Sequence, residues 1–144
     1  MTRYLLDTNV LIPLLWPRHT DQEKADTWFR AKAISAFATC DFTQAGFVRI
    51  SSSAQITEEK FKLYEARELL AQLTKLPGHT FWPTDIDVFE ATQPLLRRLH
   101  GPKQITDAYL LAIARKHKGK LATMDRAILS LAGAEGAHLV ELIP

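Results

Sequence analysis

One cysteine, Cys40, stands in a chain of 144 residues. An internal disulfide is therefore excluded, which favours a reducing, cytosolic setting over secretion. Cys40 lies among apolar neighbours and reads as a small core residue. Long apolar runs are lacking as well. Those near the N-terminus are broken by Asp7 and Pro13, too short to span a bilayer and without the cleavage pattern of a signal peptide, so no membrane partner is expected. No His or Cys residues stand at structural-zinc spacing, and no Gly-rich phosphate loop marks an NTPase. The formal charge of +2 is too small to announce a nucleic-acid partner, so the placement of charge matters more than its sum. What remains is ordinary globular composition, 47% hydrophobic and 24% charged, at a length suited to a single domain over residues 1–144.

Apolar and polar stretches alternate in a consistent rhythm. Tyr4 to Leu6 reads as a buried strand, and Val10 to Leu15 as the helix that follows, with Asp7, Thr8 and Asn9 between them as turn and cap residues. Thr20 and Glu23 stand at capping-box spacing ahead of a second helix that carries Ala25, Trp28, Phe29 and Ala33. Ser35 to Cys40 suits a second strand, and Thr43 is the expected cap of a helix with Gln44 in its first turn. A long helical pattern runs from Thr57 to Leu76. His79 to Pro83 makes a third strand. Thr84 and Asp87 repeat the capping-box spacing before a helix over Val88 to Leu99, in which Pro94 predicts a kink or break. Thr106 is the expected cap of a helix ending at Gly119, Leu121 to Thr123 is a fourth strand, and His138 to Ile143 an edge strand. Strands alternating with helices predict a three-layer α/β/α sandwich around a mainly parallel sheet of four to five strands.

In such sheets ligands collect beyond the carboxyl ends of the strands. Asp7, Asp107 and Asp125 are each predicted at a strand end or a helix start on that side. Each also has a local explanation, because an acid complements the positive end of a helix. If the three converge, their charges raise one another's pKa unless a cation lies among them. A hard divalent ion, Mg²⁺ or Mn²⁺, suits all-oxygen donors and activates water at a phosphate. Arg49 and Arg126 are placed to reach a phosphate, or alternatively to orient the acids through salt bridges. The basic run Arg115 to Lys120 lies at a helix end favourable to cations, and Trp16, Trp28 and Trp82 read as packing residues before base-stacking ones.

Four blocks carry a family resemblance: L-L-D-T-N-V-L-I at Leu5 to Ile12, A-T-C-D-F-T-Q-A-G-F-V-R-I at Ala38 to Ile50, I-T-D-A-Y-L-L-A-I-A at Ile105 to Ala114, and L-A-T-M-D-R-A-I at Leu121 to Ile128. In this order and spacing the chain resembles PIN domains, and specifically the VapC toxins of bacterial type II toxin–antitoxin pairs. The resemblance implies a PIN-type fold and a metal-dependent endoribonuclease that leaves 5′-phosphate and 3′-hydroxyl ends. Asp7, Asp107 and Asp125 match the family's acidic metal positions. Thr8, Asn9 and Thr123 match flanking polar positions and are assigned, with Arg49 and Arg126, to substrate binding. Gln44 stands where many PIN domains have Glu, so it is counted as a catalytic position that keeps an oxygen but loses a charge. Asp41 compensates only if its helix turns it inward.

The resemblance also implies RNA as substrate, a VapB-type antitoxin whose C-terminal segment covers the acidic groove, and a homodimer. The apolar candidates for these contacts are the second and third helices, including Trp28 and Phe61. Two rival readings stand beside this one. In the first, Gln44 signals decay to a catalytically weak RNA-binding or regulatory PIN module. In the second, Asp7 is a phosphoacceptor in a receiver-like protein, but Asn9 stands where such a protein needs a second acid.

Overall fold

The computed structural model describes residues 1–53 and 61–144. Among them are five strands, β1 (Tyr4–Leu6), β2 (Phe37–Cys40), β3 (His79–Trp82), β4 (Lys120–Thr123) and β5 (Val140–Leu142). Every pairing is parallel and the order is β3-β2-β1-β4-β5, so β1 is central and β5 lies at an edge, as expected. Seven α-helices connect them: α1 (Thr8–Leu15), α2 (Gln22–Trp28), α3 (Asp41–Ser51), α4 (Leu63–Thr74), α5 (Val88–Thr92), α6 (Gln104–Lys116) and α7 (Arg126–Gly136).

Both faces of the inner strands β1, β2 and β4 are buried, which is why these strands do not alternate buried and exposed residues. Leu5, Ala38 and Leu121 pack with Leu110 and Ile113 of α6 and with Ile128 and Leu131 of α7. On the opposite face, Leu6, Phe37 and Ala122 meet Val10, Leu11 and Leu14 of α1, Ala25 of α2, Phe47 of α3, and Leu70 and Leu73 of α4. Cys40 is fully buried in the first of these cores, with Trp82 beside it, and Trp16 is buried in the second.

The chain proceeds outward from β1 through β2 to β3, then crosses back and inserts β4 on the other side of β1. Strand order therefore reverses between β1 and β4, and the carboxyl ends of these two strands are where sheets of this kind form a ligand crevice. Gly46 brings α3 against the start of α1 beside this crevice. A Cβ at position 46 would lie 2.8 Å from the Thr8 Oγ1, inside van der Waals contact with a stiff β-branched side chain.

Several helix starts differ from expectation, two of them where the cap candidate has another partner. Asp21, not Thr20, precedes α2, which continues as a π-helical turn over Phe29–Ala33. Thr43 is the third residue of α3; its hydroxyl accepts from the Cys40 N–H at 3.0 Å, making Cys40 the cap residue. Thr84 donates to Asp41 at 3.1 Å, and Asp87 itself caps α5. Helix α6 begins at Gln104, so Thr106 lies within its first turn. The break at Pro94 is present: α5 ends at Thr92 and a 3₁₀ turn follows over Gln93–Leu95. The expected start of the fourth helix at Thr57, with Glu58 and Glu59, lies outside the described residues; the described helix starts at Leu63. Among the described residues, no helix is long and apolar enough to cross a membrane.

Candidate functional site

Asp7 follows β1 and caps α1 in extended conformation. Its backbone N–H donates to the Ala122 carbonyl at 3.0 Å, continuing the β1–β4 ladder by one residue and placing the carboxylate at the crevice. That carboxylate is 7% exposed and accepts three hydrogen bonds: Thr8 N–H to Oδ1 at 2.7 Å, Thr123 hydroxyl to Oδ2 at 2.9 Å, and Asn9 Nδ2 to Oδ2 at 3.3 Å. Asn9 also ties the two strand ends together, its Nδ2 donating to Thr123 Oγ1 at 3.1 Å and its Oδ1 accepting from Met124 N–H at 3.0 Å. The Thr123 hydroxyl oxygen in turn accepts from Asp125 N–H at 3.1 Å. One buried hydroxyl thus links both acids.

Thr123 and Asn9, both expected at the substrate, are engaged within the protein in this arrangement. Thr123 is fully buried and committed to Asp7, and both ends of the Asn9 amide are engaged within the protein. Their hydrogen bonds run to Asp7 and to the backbone of Met124 and Asp125. Thr8 contributes its backbone N–H to Asp7, while its side chain meets Gly46.

Asp125 is exposed and caps α7, accepting from Ala127 N–H at 2.9 Å. Asp107 projects from the first turn of α6 and accepts no hydrogen bond among the described residues. Burial, with the nearby charges of Asp7 and Asp125, pushes its carboxyl up to about 6. Asp7 is raised as well, chiefly by burial and also by Asp125, against the lowering effect of its hydrogen bonds. Asp107 therefore lies within electrostatic reach of both Asp7 and Asp125.

This donor set fits a hydrated hard cation better than a tightly wrapped one. Its oxygens are anionic, and their mutual repulsion is what a positive charge relieves. Yet among the described residues no three His, Cys, Asp or Glu side chains lie close enough together to enclose a metal ion. Mg²⁺ is commonly held by one or two carboxylates and several waters, an arrangement Asp7 and Asp107 can provide with Asp125 reaching through solvent.

Gln44 is placed differently from the acids. Its Nε2 donates to the buried Thr39 hydroxyl at 3.0 Å, and it makes no hydrogen bond to Asp7, Asp107 or Asp125. Asp41 does not turn inward; it is exposed and accepts from the Thr84 N–H at 3.0 Å. Arg49, in the last turn of α3, and Arg126, the first residue of α7, are exposed and form no ion pair among the described residues, so neither orients the acids by a salt bridge. Within the basic run, Lys116 pairs with Asp85 at 2.9 Å. Trp28 reaches Glu141 instead of the crevice. An apolar cavity of about 180 Å³ lies between α5, α6 and α7, lined by Ile86, Ala91, Leu95, Leu111 and Leu139, and none of the three acids borders it.

Sequence reasoning missed the Thr39–His79 contact, 2.7 Å between Oγ1 and Nε2. The available signal was a polar residue at a buried strand position, which obliges a partner.

The PIN domain family model matches residues 4–134. The chain is 39% identical over 142 residues to "Ribonuclease VapC44" of Mycobacterium tuberculosis, covering 97% of this chain and 99% of that one. It is 37% identical over 139 residues to "Ribonuclease VapC39" of the same species, covering 96% and 98%. Among solved structures, a chain of FitAB bound to an IR36 DNA fragment superposes with a TM-score of 0.66 at 19% identity, over 96% of this chain and 94% of that one, a likeness of fold. Matched over nearly its whole length to curated ribonucleases, this chain belongs to the VapC ribonucleases of the PIN-domain family.

Proposed function

We propose that this chain is the toxin of a VapBC-type pair, an endoribonuclease that depends on Mg²⁺ or Mn²⁺ and hydrolyses RNA phosphodiester bonds. The observation that supports the reading is the placement of acids at the switch point: Asp7 and Asp125 follow adjacent strands, and the Asp107 carboxyl is raised to about 6 by burial first and then by the charges of Asp7 and Asp125. Such mutual repulsion is a cost that a structural role does not require. When bound, the cation supplies the Lewis acidity that activates water for in-line attack and neutralises charge developing on the phosphate.

The protein's own part is orientation. Thr8, Asn9 and Thr123 hold the Asp7 carboxylate in one rotamer, and Thr123 also fixes the backbone of Asp125. Asp7 and Asp107 are the direct ligands in this reading, and Asp125 acts through water. Arg126, one residue beyond Asp125 and unpaired among the described residues, is set to grip a phosphate of the RNA, with Arg49 further along. An acidic crevice of this kind also suits an antitoxin segment that places an Arg or Lys among the carboxylates, and the family resemblance supports a homodimer.

The test is cleavage of total cellular RNA by the purified chain with Mg²⁺ or Mn²⁺, with EDTA, and with the Asp7→Asn and Asp107→Asn variants. Cleavage is expected only in wild type with added cation. Activity that survives both EDTA and either substitution rejects the proposal.

A further inference from the structure

Gln44 replaces the Glu found in many related domains, and its surroundings decide which end of its amide is available. Thr39 lies on β2, fully buried, facing α3 and α4; His79 on the neighbouring β3 points to the same face, its ring 5.4 Å from that of Phe37. Gln44 Nε2 donates to Thr39 Oγ1 at 3.0 Å, and Thr39 Oγ1 lies 2.7 Å from His79 Nε2. A threonine hydroxyl carries a single proton. With one acceptor position of Oγ1 taken by Gln44, that proton needs an acceptor of its own, since an unpaired buried hydroxyl costs about 1–3 kcal/mol. Among the described residues, His79 Nε2 is the acceptor at hand.

We infer that Thr39 and His79 are positioning residues: a chain of hydrogen bonds running Gln44 to Thr39 to His79 holds the Gln44 NH₂ inward and turns its carbonyl oxygen outward. In this arrangement His79 is neutral, with its proton on Nδ1 and Nε2 bare. Burial and the neighbouring Arg3 charge both lower the His79 pKa, which agrees with a neutral ring. Gln44 lines an open groove with Asp41, Val48 and Arg67, which none of the three acids borders, and its oxygen accepts no hydrogen bond among the described residues. Gln44 lies in the first turn of α3, just past the carboxyl end of β2. Its oxygen is thus a fixed acceptor for an O–H group at the carboxyl edge of the sheet, either a water of a hydrated cation or the 2′-hydroxyl of an RNA. The role of that oxygen rests on the proposed nuclease reading, whereas the direction of the hydrogen bonds does not.

A carboxylate at position 44 reverses the chain. It has no proton to donate, so the Thr39 hydroxyl donates to it, and His79 must carry its proton on Nε2 and donate to Thr39. Long-range ¹H–¹⁵N spectra of the histidines at pH 7.5, with His79 assigned by its loss in His79→Gln, read the tautomer directly. Wild type is expected with the proton on Nδ1 and Gln44→Glu with the proton on Nε2. A proton on Nε2 in wild type, or a tautomer indifferent to Gln44→Glu, overturns the hydrogen-bond direction.

Thr39→Val and Thr39→Ser test the consequence through Mn²⁺ affinity without nucleic acid and through binding of RNA and of its 2′-deoxy counterpart in EDTA. Thr39→Val is expected to weaken one of these by about tenfold, with recovery in Thr39→Ser. Loss of Mn²⁺ affinity assigns the oxygen to a cation's water. Loss of RNA binding, with DNA binding kept, assigns it to the 2′-hydroxyl. Unchanged values in all three overturn the positioning role, even where the tautomer is as expected. Failure of the nuclease reading shows separately, as absence of cation-dependent RNA cleavage by wild type.

Discussion

Asp107→Asn should make the metal-free protein more stable while removing its function. The wild-type carboxyl titrates at about 6 in the folded chain, raised by burial and then by Asp7 and Asp125, against 3.8 for the unperturbed group. Between those values the folded state holds a proton that the unfolded state has released. Stability therefore falls as pH rises from about 4 to about 6, and the penalty is complete above the folded pKa. Taken at face value, the displacement from 3.8 to about 6 corresponds to about 3 kcal/mol. The carboxylate is only partly buried, and solvent screening reduces this to about 1–2 kcal/mol. Asparagine relieves the repulsion without disturbing a hydrogen bond, because Asp107 accepts none among the described residues. For a chain of this length the gain is about 3–6 °C in Tm. Thermal unfolding in EDTA at pH 7.5 should show that rise, and at pH 3.5, below both values, it should shrink toward zero. Added Mn²⁺ should then raise the Tm of wild type and leave Asp107→Asn unmoved. A variant less stable than wild type at pH 7.5, or a gain of equal size at both pH values, refutes the electrostatic reasoning.

Other substitutions probe the framework. Asp7→Asn should destabilise, in contrast to Asp107→Asn, because its NH₂ would face one of the donors Thr8, Asn9 or Thr123; chemical denaturation in EDTA measures the opposite signs. Thr123→Val should cost about 1–3 kcal/mol in the same assay and lower RNA cleavage, with Thr123→Ser restoring most of both. Gly46→Ala should cost about 1–3 kcal/mol by forcing Thr8 Oγ1 away from the new methyl, and its loss of cleavage should exceed what the fraction unfolded explains. Arg126→Ala should weaken RNA binding without changing Tm, and lower the slope of log affinity against log salt by about one.

The junction of strand, acid and helix at Asp7 was legible because two apolar runs flank three residues that favour caps and turns. The parallel α/β architecture followed from the same rhythm repeated along the chain. Helix starts were harder to read. Thr20 and Thr106 lie one and three positions from the caps Asp21 and Lys103, while Thr84 is drawn across the fold to Asp41 and Thr43 bonds back locally to Cys40. The three acids stood out as strand-end and helix-start residues, but their supporting hydrogen bonds did not. Thr123 lies 116 positions from Asp7, and only the insertion of β4 beside β1 brings the hydroxyl to the carboxylate. The pairing of Phe37 with His79 across β2 and β3 likewise sets Thr39 within reach of the imidazole. Gln44 could be ranked by analogy with a Glu, yet its committed amide depends on that register.

In the proposed reading Asp7 and Asp107, so far apart in sequence, share one cation. Calorimetric or EPR titration of the purified chain with Mn²⁺ tests it most directly. One site per chain is predicted in wild type, lost in Asp7→Asn and in Asp107→Asn alike, and weakened in Asp125→Asn. Undiminished binding in either of the first two variants contradicts the account.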